Sequence, residues 1–200
     1  MRFPDSATRT RILALSADQA LGVAAGMTER MLPNYVLYAD VSGTGDAARI
    51  RVMIDLIWEQ LGPSRATIDF ERQAEKLVAL EPDTDRDESF GARLALDVTM
   101  ALASCFDGLQ KAEPHQTALE ALRLSAGGVA RFIEYSEGES EDDSLDEHPL
   151  MVDETGFAEA LIEAVEETRF DREGLKRLRR LARNQGVSNI GLSLDDDTPA

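Results

Sequence analysis

The chain has a single cysteine, Cys105, so no internal disulfide can staple it and its core must hold by packing alone. It has two histidines, His115 and His148, and neither has a glutamate three residues before it. That removes the Glu-x-x-His pairs with which a helical bundle builds a di-metal carboxylate centre. Bases are scarce as well: 21 Lys and Arg stand against 38 Asp and Glu, for a formal net charge of −17. Non-specific binding to nucleic acid rests on cations that neutralise phosphates, and this balance opposes it. No stretch nears the roughly 20 apolar residues that span a bilayer. The opening Met1-Arg2-Phe3-Pro4-Asp5 lacks the apolar run of a signal peptide. The expectation is a soluble, cytoplasmic protein with no cofactor, no metal and no membrane partner.

What the chain does have is helical periodicity. Ser16 and Gln19 form a capping-box pattern before a helix that puts Leu21, Ala24, Ala25 and Met27 at core spacing. Pro33 is expected to end that helix, because the residue before a proline avoids the α region. Asn34 to Asp40 then reads as a separate short helix or strand. From Asp46 a helix carries Ile50, Met53, Ile54, Ile57, Trp58 and Leu61 on one stripe. Val52 and Leu56 lie off it, which implies core contact on more than one side, while Arg51, Asp55 and Glu59 share the polar face. Asp69 is a candidate cap for a helix with Ala74, Leu77 and Val78, and the acidic loop Asp83 to Glu88 follows.

Ser89 to Phe106 is apolar on nearly every side, the pattern of a helix surrounded by other elements. Asp107-Gly108 is expected to close it. Pro114 opens the next helix, which runs to about Tyr135; Gly127-Gly128 within it implies a kink or a close helix–helix contact. Glu134 to Glu167 holds fourteen acids and no Lys or Arg. Ser136 to Glu147 reads as an exposed loop, and a helix follows from Pro149. Charge then inverts in a basic helix, Arg169 to Arg183, with Leu175, Leu178 and Leu181 inward and Gly186 as its C-cap. Ser188 to Leu192 reads as extended. The expected fold is all-α: a single-domain bundle of about seven to nine helices around a buried central helix near 89–106. The domain spans 1–192 and an acidic, disordered tail spans 193–200.

Two motifs fail on inspection. Gly43-Thr44-Gly45-Asp46-Ala47-Ala48 fits the relaxed dinucleotide fingerprint, but nothing downstream alternates strand and helix to build the crevice. Asp83-Thr84-Asp85-Arg86-Asp87 spaces acids as a calcium loop does. There Glu88 takes the place of the turn glycine and Leu94 that of the bidentate glutamate. Both read as connections. No nucleophile elbow is present, and Cys105 reads as a small core residue. Asp97 stands out as the only acidic or basic side chain between Arg93 and Asp107. Buried, it must be paired or protonated; Arg93, one turn earlier, is the nearest partner in sequence. It reads first as an anchor that fixes helix register, with a tuned acid in a cleft as the alternative.

Glu29-Arg30-Met31-Leu32-Pro33-Asn34-Tyr35, Ile54-Asp55-Leu56-Ile57-Trp58-Glu59 and Ser188-Asn189-Ile190-Gly191 occur in this order over most of the chain. Together with Asp97 in its apolar helix, they resemble the YjaG-like proteins, domain of unknown function family 416. The resemblance implies a compact multihelical bacterial protein and leaves its activity open. The residues themselves offer candidates for one polar surface or anchor: Arg30, Asn34 and Tyr35, then Asp55 and Glu59, then Asp97, then Ser188 and Asn189. Three functions follow as expectations. The first is a non-catalytic role in contact with a protein partner, a second copy included. The second is an enzyme or small-ligand binder with a polar cleft around Arg30, Tyr35, Asp55 and Glu59. The third is contact with nucleic acid through the basic helix 169–183, whose arginines otherwise answer the acidic segment before it.

Overall fold

The computed structural model describes residues 3–63, 67–138 and 142–193. Within them the chain is all-α and forms one domain of nine α-helices: α1 Ser6–Ala14, α2 Ala17–Ser42, α3 Ala47–Gln60, α4 Phe70–Val78, α5 Phe90–Lys111, α6 Pro114–Glu137, α7 Asp142–Glu147, α8 Pro149–Glu167 and α9 Arg172–Arg183. A single 3₁₀ turn, Asn184–Gly186, ends the last helix, and one isolated bridge pairs Val187 with Ser193. No helix of the described residues is long and apolar enough to cross a membrane.

Local sequence sets most helix starts. Ser16 and Gln19 exchange side-chain and backbone hydrogen bonds in a complete capping box on α2. Asp46, Asp69, Ser89 and Asp171 each accept an amide of the following first turn. Pro114 and Pro149 sit in first turns, where a missing N–H costs nothing.

α5 is a core helix, as its composition implies, although Met100 faces solvent. The helix enclosed on every side is α2, which packs against α3, α5, α6, α8 and α9. Every residue from Ala20 to Met31 is buried. Pro33 does not end α2. It lies inside a continuous helix that runs on to Ser42, where Gly43 in the left-handed region caps it. An interior proline costs about 3 kcal/mol, and burial of the surrounding turns outweighs that preference.

Other boundaries move for similar reasons. Gly108 does not close α5; α6 comes so close that a Cβ at Gly108 would overlap the Thr117 Oγ. The helix ends instead at Ala112, in the left-handed region. Gly186 is not the cap of α9, a place Asn184 takes with a left-handed φ. Val52 is exposed, so α3 buries one stripe with Leu56 at its edge. The loop expected over 136–147 gives way to the end of α6 and to α7. Residues 139–141 of that loop lie outside the described residues. So do residues 194–200 of the expected tail, while Ser193 bridges to Val187.

Candidate functional site

Three buried charges on or beside α2 organise the interior. Arg30 is 1% exposed and pairs through Nε with Glu154 Oε2 at 2.6 Å and through Nη2 with Asp153 at 2.7 Å. Its guanidinium lies 3.9 Å from the centroid of the Phe157 ring, a favourable placement for a desolvated cation. Glu154 is 0% exposed, and its second oxygen accepts the Ser125 hydroxyl. Burial pushes the Glu154 carboxyl up, against the pull of Arg30. The chain of contacts continues: Asn189 Nδ2 donates to Ser125 O at 2.9 Å, and Asn34 Nδ2 donates to Asn189 Oδ1 at 2.8 Å. Ser188, also buried, accepts the amides of Ile190 and Leu192 and so folds the C-terminal turn back on itself. One polar network thus ties α2, α6 and α8 to the C-terminal segment.

Glu29, one residue before Arg30, serves the opposite side of α2. Burial works against its charge, but Arg51, the Trp58 indole and the nearby arginines outweigh that and hold the carboxyl below its ordinary range. It accepts from Arg51, from Trp58 Nε1 at 3.0 Å and from Arg183 Nε at 3.2 Å. Arg179 pairs with Asp55. Two arginines of α9, Arg179 and Arg183, therefore answer acids of α3 and α2, and among the described residues no ion pair joins α9 to the acidic segment before it. That segment sends its charge to Arg30 through Asp153 and Glu154, and to Arg11 through Glu166.

Asp97 is 6% exposed, and its partner is Arg131 on α6, not Arg93. The place next to it is occupied by Gly128, where a Cβ would stand 3.1 Å from the carboxylate. The close contact implied by Gly127-Gly128 is therefore the approach of α6 to Asp97. Desolvation dominates over Arg131 and raises the Asp97 carboxyl to about 6. Tyr35 is buried elsewhere, its hydroxyl donating to Leu80 O at 2.7 Å and accepting the Asp46 amide at 3.4 Å. Cys105 is buried beside Thr28, and its thiol is pushed up to about 12, which leaves it an inert core residue.

Of the eight residues singled out from sequence, the structure joins Arg30, Asn34, Ser188 and Asn189 in one region, with Asp97 beside it across Gly128. Tyr35 stands apart, and Asp55 and Glu59 line a separate recess with Arg179. Arg30 and Tyr35 are buried in the bundle, so among the described residues no polar cleft collects them with Asp55 and Glu59. Sequence reasoning passed over Glu154, Ser125 and Arg131. The first two carried a signal, since Glu154 falls on the Met151, Ala158, Leu161 stripe and Ser125 on that of Leu122 and Val129. Arg131 carried none.

One concave surface is largely apolar. A solvent-open cavity of about 690 Å³ lies between the last turns of α2, the start of α5, α6 and the C-terminal turn. Leu37 and Val41 line it from α2, Phe90 and Leu94 from α5, Phe132 from α6, and Ile190 and Leu192 from the C-terminal turn. Phe90 and Tyr135 stack at 4.6 Å beside it. Asn34, 4% exposed, belongs to both its wall and the polar network, and its Oδ1 accepts no hydrogen bond among the described residues. The Asn34–Asn189 amide pair thereby positions the C-terminal wall of the cavity.

Known proteins share this architecture. A family described as protein of unknown function, DUF416, matches residues 7–193. Over 184 residues the chain is 31% identical to the uncharacterised protein YjaG of Escherichia coli, covering 91% of this chain and 94% of that protein. An uncharacterised protein of Haemophilus influenzae is 29% identical over 185 residues, covering 91% of this chain and 94% of its own length. The crystal structure of a DUF416 family protein from Shewanella baltica superposes with a TM-score of 0.85 at 28% identity, covering 93% of this chain and 98% of that one.

Proposed function

The chain belongs to the DUF416 family of proteins of unknown function, and from that premise we propose that it acts without catalysis, by receiving a segment of another protein in the apolar cavity beside α2. The observation that carries this reading is the cavity itself, about 690 Å³ and open to solvent, with a wall of aliphatic and aromatic side chains. Apolar side chains left facing water in a concave surface are stabilised by anything that covers them. Val41, 78% exposed on that wall, gains nothing from its own fold. The buried charges supply support of a different kind. Arg30, Glu154 and Glu29 are engaged with ionic partners inside the bundle, where they hold helices together. Of the bases of α9, Arg179 and Arg183 are likewise engaged with Asp55 and Glu29, and the net charge of −17 opposes the rest of the helix as a nucleic-acid surface.

A small apolar ligand is the second reading, favoured by a volume within the range of ordinary ligand pockets. One experiment separates the two. Wild type and Val41→Asp are cross-linked in the native host and the attached proteins identified by mass spectrometry, with native mass measured in parallel. The expected result is at least one protein held by wild type and lost from Val41→Asp at unchanged melting temperature. Identical protein sets overturn the reading, and so does a bound small molecule with no cross-linked protein.

A further inference from the structure

The apolar cavity is not a closed bowl. Tyr38, Ser42 and Asp87 line it on one side and also line a second recess of about 370 Å³, so the two adjoin along a shared rim and together form a two-part groove. The second recess is polar and acidic. Glu81, Asp83 and Asp87 stand around it, and its one base, Arg86, is answered by Asp83 at 3.3 Å. The wall of the second recess at Leu80 is tied to α2, because the Tyr35 hydroxyl donates to the Leu80 carbonyl. Asp87 keeps its charge firmly: the side chain and amide of Ser89 hold its carboxyl below the ordinary range.

Resting on the docking reading above, we propose that the occupant of this groove is an amphipathic, positively charged segment of another protein. Its apolar side chains fill the space between Leu37, Val41, Phe90 and Leu94, and a Lys or Arg lies over Glu81, Asp83 and Asp87. The charge of the groove selects this occupant. An apolar floor alone takes any apolar segment, but an acidic recess adjoining it rewards a cation and repels an anion. A second copy of this chain is disfavoured on the same ground. Each copy carries a net charge of −17, so two copies repel, and two arginines of its basic helix, Arg179 and Arg183, are already held by Asp55 and Glu29.

The test uses a labelled helical peptide of Leu and Lys in amphipathic spacing, and its Leu/Glu counterpart, with binding read by fluorescence anisotropy on the full chain. The variants are Val41→Asp, the pair Asp83→Asn with Asp87→Asn, and a control pair on α8, Glu159→Gln with Glu163→Gln. Wild type is expected to bind the Leu/Lys peptide and to ignore the Leu/Glu one. The Asp83/Asp87 pair should lose about tenfold in affinity, the control pair should match wild type, and Val41→Asp should abolish binding. Equal weakening in both neutralised pairs overturns the proposal, since net charge alone would then be at work. Equal binding of the two peptides, removed by Val41→Asp, overturns the cationic occupant and leaves the docking reading standing. Loss of neither peptide in Val41→Asp, or no binding at all, overturns both. A wild-type dimer broken by Val41→Asp makes a second copy the occupant and overturns the proposal as well.

Discussion

At Asp97, burial and the Arg131 guanidinium pull in opposite directions, and burial prevails, moving the carboxyl from 3.8 to about 6. The folded protein therefore binds this proton more tightly than the unfolded chain does. The stabilisation that follows is fully present below about pH 4 and is lost as pH rises through about 6. Asp97→Asn removes the titration while keeping the shape. Between those limits wild type should lose about 3 kcal/mol relative to Asp97→Asn, from 1.36 kcal/mol per pKa unit. Thermal unfolding of both proteins at the two ends of the window measures it, and a constant gap would refute the account. The arrangement also sets a limit on what the residue does. Gly128 fills the space beside the carboxylate and Arg131 takes one oxygen, so Asp97 joins α5 to α6 as a polar anchor. Its partner escaped the sequence because Arg131 lies 34 residues away on another helix, and only the packing of α6 on α5 brings the two together.

Among the elements, the pair α5 and α6 shows how close approach overrides local preference. Glycine in a helix interior normally costs about 1 kcal/mol relative to alanine. At Gly108 that sign should reverse, because an added methyl meets Thr117, whose hydroxyl donates to Glu113 O at 3.1 Å and Ser104 O at 3.3 Å. Gly108→Ala is expected to destabilise by about 1–3 kcal/mol, and Thr117→Ala in the same chain should recover part of the loss. Chemical denaturation of the two single variants and the double variant reads the coupling, and additive effects would show that the helices part without contact. The same contrast explains which boundaries were legible. Caps at Ser16, Asp46, Asp69 and Ser89 are local chemistry and could be read in sequence. Pro33 and Gly108 misled, since what decides them is another helix. The enclosure of α2 was hidden for a related reason. Its Glu29-Arg30 step and Asn34 look like surface residues until their partners on α3, α8, α9 and the C-terminal turn are in place.

For the molecule as a whole, the charges divide into those that hold the bundle and those that strain it. Arg30 with Glu154, and Glu29 with Arg51, sit inside and are screened little by salt. Pairs such as Arg11 with Glu166 and Lys111 with Asp107 are exposed, contribute little and are weakened by salt. The remainder is an excess of acids, −17 overall, spread over one domain. At about 0.01 M ionic strength the screening length is roughly 30 Å, comparable to the domain, so the acids repel one another across it; at about 1 M it falls to roughly 3 Å. This excess also accounts for the part of the candidate site that sequence could not show. An acidic recess beside an apolar cavity is one patch among many acidic stretches until the fold sets Asp87 on the wall that Val41 and Leu37 also line. If self-repulsion outweighs the exposed pairs, the melting temperature should rise between those two salt concentrations. A relief of about 2 kcal/mol corresponds to about 4–8 °C for a chain of this length. Calorimetry in sodium chloride measures it. A fall instead would mean that the exposed pairs, not the buried ones, carry the electrostatic stability of the bundle.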